Sequence, residues 1–278
     1  MNKWNLVIDV AKCQDCNNCF LACRDEYCDN DFLPYSLAQP RHGHRWIDLL
    51  RKERGSYPRV DVAYLPYTCM QCDEADCIKA AADGVIYKRS DGIVIIDPVK
   101  AKGQKALVNA CPYGVIYWNE ELEIPQKCTF CAHLIDEGWE APRCAQACPT
   151  GAIRSLLVED DEMQQIATSE GLEVWHAEYG LEPRVYYKHL YRFNKSFIAG
   201  SVALKDVDEC AEGAKITLKD SAGNIVGTAI TNNFGDFKID NLRDSRTKYH
   251  LEIEFPGYQK QELAAELEES LDLGTIFL

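Results

Sequence analysis

Residues 13–23 read CQDCNNCFLAC and place cysteines at positions 13, 16, 19 and 23. In this C-x2-C-x2-C-x3-C spacing, three thiolates lie on a tight loop that can wrap one iron–sulfur cubane. The fourth lies one helical turn further on and faces a different cluster. Further cysteine groups follow, at Cys69, Cys72 and Cys77, at Cys111, and at Cys128, Cys131, Cys144 and Cys148. The stretch therefore predicts a ferredoxin-like fold and electron transfer.

The distribution of the 14 cysteines favours metal binding over disulfide crosslinks. Thirteen lie between positions 13 and 148 in short-spaced groups, unlike a disulfide framework. Zinc is the alternative metal, because paired Cys-x2-Cys groups also form tetrahedral sites. A triplet with a distant fourth ligand, and Pro after Cys111 and Cys148, is instead typical of iron–sulfur clusters. Cys28 and Cys210 are predicted to be ordinary thiols, Cys210 partly buried.

The composition argues against nucleic acid and membrane partners. The net charge is −14, the opposite of the sign that phosphate binding requires. No apolar run approaches the roughly 20 residues of a membrane span, and no secretion signal is recognisable at the first residues. We therefore expect a reducing, cytoplasmic setting, and no group of side chains predicts catalysis on an organic substrate.

Residues 41–59, RHGHRWIDLLRKERGSYPR, are locally basic against this acidic background. One interpretation is a solvated loop and helix face, the usual outcome for a run of charges. The other is a docking surface for an acidic partner, in which Trp46 and Tyr57 supply the anchors. The sequence leaves both interpretations open.

The chain divides into three parts with different patterns. Residues 1–157 alternate short strands with cysteine loops and predict a duplicated ferredoxin-like domain, including a helix over Val99–Ala110. Residues 158–196 predict an acidic helix and an aromatic, basic connecting arm. Residues 197–278 contain seven short strands separated by turns, which predict a β-sandwich. The expected fold class is therefore α+β.

The last part resembles the carboxypeptidase-regulatory and transthyretin-like sandwiches. The segments that carry this resemblance are Gly213–Leu218, Phe234–Phe237, Tyr249–Phe255 and Pro256–Tyr258. The resemblance implies a module that binds or braces rather than one that catalyses.

The cysteine groups together resemble the electron-transfer subunits of molybdopterin oxidoreductases. In that family four motifs hold four 4Fe-4S clusters; the first and fourth motifs exchange their last cysteines, and so do the second and third. The resemblance implies three complete ligand sets here: Cys13, Cys16, Cys19 and Cys148; Cys23, Cys128, Cys131 and Cys144; and Cys69, Cys72, Cys77 and Cys111.

The ligands of a fourth cluster are missing as a group. The second motif has Ala81 where its last cysteine belongs, and counting back from Cys111 gives Ala101, Gln104 and Leu107 at the other positions. Under the exchange rule these four positions bind one cluster. The resemblance therefore implies that one cluster is lost whole and that three 4Fe-4S clusters remain.

The whole chain further resembles the small subunits of pyrogallol–phloroglucinol transhydroxylases and resorcinol-type hydroxylases. Segments that carry the likeness include Gly43–Trp46, Asp91–Val94, Cys111–Val115 and Pro183–Lys188. It implies a heterodimer with a large catalytic subunit that holds a bis-molybdopterin guanine dinucleotide molybdenum centre and acts on phenolic rings in anaerobic aromatic degradation. Two alternatives stay open. The chain could serve a respiratory molybdoenzyme acting on an inorganic or sulfur compound, or its clusters could be mainly structural in a non-redox transhydroxylase.

Overall fold

The computed structural model describes residues 1–243 and 246–278. The chain forms two compact units. Met1–Leu50 and Tyr64–Leu190 make up the first, here called the cysteine-rich unit, and Arg51–Ala63 and Tyr191–Leu278 make up the second, the sandwich unit. The part of the chain just after residue 157 therefore belongs to the cysteine-rich unit.

The first 190 residues fold into short elements joined by loops. In chain order these are β1 (Lys3–Asp9), α1 (Asn18–Tyr27), β2 (Ile47–Ser56), β3 (Arg59–Thr68), α2 (Asp76–Ala80), β4 (Ile86–Lys88), β5 (Val94–Ile96), β6 (Tyr117–Asn119), β7 (Ile124–Gln126), α3 (Ala132–Asp136), α4 (Arg143–Gln146), β8 (Ile153–Val158), α5 (Asp160–Glu170), β9 (Glu173–Val174) and β10 (Val185–Lys188). Two 3₁₀ helices lie at Lys105–Ala110 and Ala177–Tyr179. Within the described residues, no helix combines the length and the apolar character that crossing a membrane requires.

A four-stranded sheet ordered β8-β1-β10-β9 forms part of the cysteine-rich unit. Strand β1 is antiparallel to β8 and parallel to β10. It is almost continuously buried, as expected for a central strand covered on both faces. The sequence predicted a connecting arm here, but Val185 and Tyr187 alternate into the core, so this segment pairs as a strand instead.

The helix predicted over Val99–Ala110 is wrong for its first half. Only Lys105–Ala110 is helical, and the residues before it form turns. The carboxylate of Asp97 accepts hydrogen bonds from the N–H groups of Val99 and Lys100, at 2.9 and 3.0 Å. Such a local side-chain acceptor competes with helix formation and favours a turn.

The sandwich unit consists of two sheets around one apolar core. Its elements are α6 (Tyr191–Asn194), β11 (Ser196–Leu204), β12 (Glu209–Cys210), β13 (Lys215–Asp220), β14 (Ile225–Ile230), β15 (Asp236–Leu242), β16 (Thr247–Glu254), β17 (Gln261–Leu267) and β18 (Leu271–Phe277). One sheet is ordered β12-β11-β15 with β18 paired to β11, and the other β14-β13-β16-β17. In β16, Tyr249, Leu251 and Ile253 point into the core and alternate with polar residues. The predicted sandwich is confirmed, but its described residues form eight strands rather than seven, because the short strand β12 was not predicted.

The basic segment of residues 41–59 forms much of a β-hairpin, β2 and β3, rather than a helix face. Trp46 is 1% exposed and therefore cannot anchor a partner, whereas Tyr57 is 93% exposed at the turn. Arg54 is buried and donates to Asp240 Oδ1 at 2.8 Å and to Asp61 Oδ2 at 2.5 Å within the sandwich unit. The predicted helix face is wrong because Ile47–Ser56 form strand β2, and the predicted Trp46 anchor is wrong because Trp46 is buried just before that strand.

Candidate metal centres

Three cysteine loops share one backbone conformation. The residue two positions after the first cysteine of each loop is left-handed: Asp15, Gln71 and Phe130 have φ values of 55°, 51° and 55°. This turn directs backbone N–H groups at sulfur, and the Phe130 nitrogen lies 3.3 Å from Cys128 Sγ. Left-handed residues other than glycine are uncommon, so their repetition marks a constrained turn. Hydrogen bonds to sulfur are one way in which a protein tunes an iron–sulfur cluster.

Cys69, Cys72, Cys77 and Cys111 line a single cavity; the space between its walls is about 360 Å³ and is partly open to solvent. Most of the other wall residues are apolar and include Met70, Val94, Tyr113 and Ile116. Burial raises the pKa of the Cys77 thiol to about 11. Because iron binds thiolates, loading a cluster here would release protons. The donor set and the apolar walls fit a four-thiolate cluster.

Cys23, Cys128, Cys131 and Cys144 line a second cavity; the space between its walls is about 330 Å³ and is partly open to solvent. Cys23 lies on α1 and Cys144 on α4, so two packed helices bring these sulfurs to the loop of the other two. Burial raises the pKa of the Cys131 thiol to about 12. The Arg143 nitrogen lies 3.5 Å from Cys131 Sγ and supplies an N–H donor to it.

Cys13, Cys16 and Cys19 lie where β1 leads into α1, and Cys148 follows α4. Burial raises the pKa of the Cys19 thiol to about 12, and the Cys13, Cys148 and Cys16 sulfurs add to the rise. Cys19 therefore lies within electrostatic reach of the other three thiols. Cys16 is exposed, so this set reaches the molecular surface.

The three sets follow one another through the cysteine-rich unit. Burial is the largest cause of the raised pKa of Cys144. The charges of the other thiols in its own set come next, and the charge of Cys19 in the first set follows. Burial is also the largest cause of the raised pKa of Cys128, and the charge of Cys69 in the third set is the second. The set containing Cys23 thus has an electrostatic neighbour in each of the other two sets.

Apolar side chains occupy the region of the missing fourth ligand set. Ala101 and Leu107 are buried in one core with Val85, Ile86, Val94, Ile96 and Ile116, and Ala81 packs against it. Gln104 is half-buried and donates its amide to the Lys100 carbonyl at 2.8 Å. Cys77 and Cys111 of the third set also pack against this core. Hydrophobic burial takes the place of thiolate ligation at these positions.

The two remaining cysteines lie outside the three sets. Arg24 Nη2 approaches Cys28 Sγ at 3.7 Å, and Cys28 is half-buried. Cys210 is exposed on the short strand β12, so its predicted partial burial is wrong. Among residues 1–243 and 246–278, no three His, Cys, Asp or Glu side chains converge in the geometry of a single metal ion.

Comparisons with known proteins assign the family. Residues 60–156 match the model of the 4Fe-4S dicluster domain. The chain is 47% identical over 281 residues to the pyrogallol hydroxytransferase small subunit of Pelobacter acidigallici, with 100% of both chains covered. The chain belongs to this hydroxytransferase small-subunit family. The predicted resemblance is confirmed.

The hydroxytransferase small-subunit family lies among the iron–sulfur subunits of molybdopterin oxidoreductases. The arsenate respiratory reductase iron–sulfur subunit of Shewanella is 28% identical over 232 residues, covering 66% of this chain and 94% of its own. Among solved structures, the 5-hydroxyisourate hydrolase of Klebsiella pneumoniae aligns with 30% of this chain and 90% of its own, at 15% identity and a TM-score of 0.26. The family match and the full-length relative make this chain an iron–sulfur subunit with an N-terminal cluster domain, and its own two sheets form the C-terminal β-sandwich, as predicted.

Proposed function

We propose that this chain binds three 4Fe-4S clusters and transfers electrons for a large molybdopterin subunit. The observation that carries the proposal is the 47% identity to a hydroxytransferase small subunit over the full chain. The proposed ligand sets are Cys13, Cys16, Cys19 and Cys148; Cys23, Cys128, Cys131 and Cys144; and Cys69, Cys72, Cys77 and Cys111. Bound clusters would supply one-electron transfer, while the cysteine loops hold them and direct N–H groups at sulfur.

The partner that we propose is a large catalytic subunit with a bis-molybdopterin guanine dinucleotide molybdenum centre. It would hydroxylate or transhydroxylate phenolic rings, as the name of the Pelobacter relative suggests. The two chains would form a heterodimer in the cytoplasm, where reducing conditions preserve thiolate ligation. Chemistry on the ring belongs to the partner in this proposal.

The arrangement of the three sets favours a relay over purely structural clusters. The charge of Cys19 in the first set reaches Cys144, and that of Cys69 in the third set reaches Cys128, which supports neighbouring clusters in one series. A continuous series is what electron transfer between neighbouring clusters requires. Structural clusters would need no such continuity.

Co-expression of both subunits tests the proposal. Iron and sulfide analysis should give about twelve of each per heterodimer, the content of three cubanes. Four clusters, or zinc in place of iron, would contradict the ligand sets. Assays with pyrogallol and other phenols should show activity, whereas activity with arsenate or selenate alone would favour a respiratory enzyme.

Freeze-quenched EPR during turnover separates a relay from a structural role. We expect at least one cluster to change oxidation state on the timescale of turnover. Clusters that stay in one oxidation state throughout turnover would contradict the electron relay and favour a structural role.

A further inference from the structure

Lys127 is a buried lysine beside the third cysteine set. Its side chain is 2% exposed and lines the cavity formed by Cys69, Cys72, Cys77 and Cys111. Its Nζ donates to the Val94 carbonyl and to the Cys128 carbonyl, the latter at 3.0 Å. Neither of these hydrogen-bond acceptors is charged.

No carboxylate among the described residues forms an ion pair with Lys127 Nζ. The two carbonyl dipoles satisfy two of the three ammonium N–H donors but do not neutralise the charge. A buried charge without a counter-charge is costly and is rarely retained without a functional reason. Asp76 is the carboxylate that lines this cavity, but it is half exposed and pairs with Lys79 at 3.4 Å. Four thiolates around a cluster would be the main negative charge that the cavity offers to Lys127.

The surroundings of this cavity make a counter-charge especially effective. The apolar core that fills the fourth position includes Val94 and packs against Cys77 and Cys111. Such low-polarity walls disfavour the extra negative charge that a cluster gains when it takes up an electron. A fixed positive charge at the same cavity opposes this effect, since it interacts more strongly with the reduced cluster than with the oxidised one.

We propose that Lys127 raises the reduction potential of the cluster held by Cys69, Cys72, Cys77 and Cys111. The inference rests on the ligand set in the proposed function. Lys127 acts here through its charge and ligates nothing. It keeps the last cluster of the series reducible although the apolar core adjoins it.

Lys88 provides a matched control. Its Nζ also reaches the backbone of this loop, donating to the Cys72 carbonyl at 2.7 Å and the Gln71 carbonyl at 3.2 Å. Unlike Lys127, it forms an ion pair with the Asp73 carboxylate, and its side chain is 21% exposed. Solvent and Asp73 therefore offset most of its charge.

The test is a redox titration of the holo heterodimer followed by EPR, with Lys127→Met and Lys88→Met compared with the unmodified protein. Cys111→Ala identifies the signal of the third cluster, because that signal should disappear. In Lys127→Met we expect full iron content and a reduction equilibrium constant for this cluster that is at least tenfold lower. This corresponds to a reduction potential lower by about 59 mV for one electron. The other two clusters and Lys88→Met should shift less.

Lys127→Gln guards against misfolding, because its amide can still donate to the Val94 carbonyl while the charge is removed. The same downward shift in this variant supports the charge effect. An unchanged potential at full iron content, an equal shift in Lys88→Met, or loss of the cluster in Lys127→Gln would each overturn the inference. If Cys111→Ala removes no signal, the proposed ligand set fails instead, which is a separate result.

Discussion

The cysteine-rich unit and the sandwich unit reach a folded state by different means. The sandwich buries a continuous apolar core in which Ile216, Leu218 and Leu251 are completely inaccessible to solvent. The cysteine-rich unit instead arranges short elements around cavities lined by cysteines. Binding free energy becomes folding free energy where ligands distant in sequence must meet at one metal centre. We infer that the first unit depends on its cofactors and the second on the hydrophobic effect.

The largest effect that this comparison predicts follows iron removal. Stripping the clusters from the heterodimer should expose the amides of β1 and α1 to hydrogen exchange, because the cysteine loops lose their common centres. The amides of β16 should stay protected, since the sandwich core contains no ligand. Equal loss of protection in both units would contradict the inference that only the cysteine-rich unit depends on its cofactors.

A single ligand replacement should have a smaller, local effect. Cys111→Ala should remove about one third of the iron and sulfide, since Cys111 lines the cavity of Cys69, Cys72 and Cys77 although it is far away in sequence. Cys210→Ala is the control because Cys210 is exposed in the sandwich unit, and its iron content should be unchanged. Full iron content in Cys111→Ala would show that the pairing is wrong.

A cavity in the sandwich core should destabilise that unit without loss of iron. Leu251→Ala removes a fully buried side chain and should cost about 2–5 kcal/mol of the free energy of unfolding. Ile230→Ala on the exposed side of β14 should change it by less than about 0.5 kcal/mol. Hydrogen exchange of β16 amides gives the stability, and iron analysis of the same sample tests the independence of the two units.

Acid should weaken the sandwich unit slightly through Asp61. Burial alone would raise the pKa of Asp61, but hydrogen bonds from Lys238 and Arg54 hold it at about 2. A lowered folded-state pKa means that the stabilisation is complete above about pH 4 and is lost as the pH falls towards about 2. The contribution is about 1 kcal/mol after allowance for solvent screening.

The pH dependence of hydrogen exchange in the sandwich unit checks this sign. Asp61→Asn should reduce the loss of protection between about pH 4 and pH 2 relative to the unmodified protein. An identical pH profile for the two proteins would show that Asp61 does not cause the loss of stability in acid.

The sequence predicted both fold types because their signals are local. The spacing of Cys13, Cys16 and Cys19 describes one loop, and the alternation in Tyr249–Phe255 describes one strand. The failures were also local in origin. Asp97 caps a turn where a helix was expected, and the charges of residues 41–59 concealed the alternation of a hairpin.

The sequence by itself therefore determined two features of this protein. Clustered cysteines indicated iron–sulfur binding, and alternating apolar and polar residues after position 196 indicated a β-sandwich. The family resemblance already implied which distant cysteines belong together, but only the tertiary structure decided what surrounds them. It brings Cys111 to the cavity of Cys69, packs Ala101 and Leu107 into the core at the fourth position, and buries Lys127 beside the thiols. The physical reason is that ligand spacing and strand alternation depend on neighbours along the chain. Cavities, cores and uncompensated charges depend on packing between residues far apart in sequence.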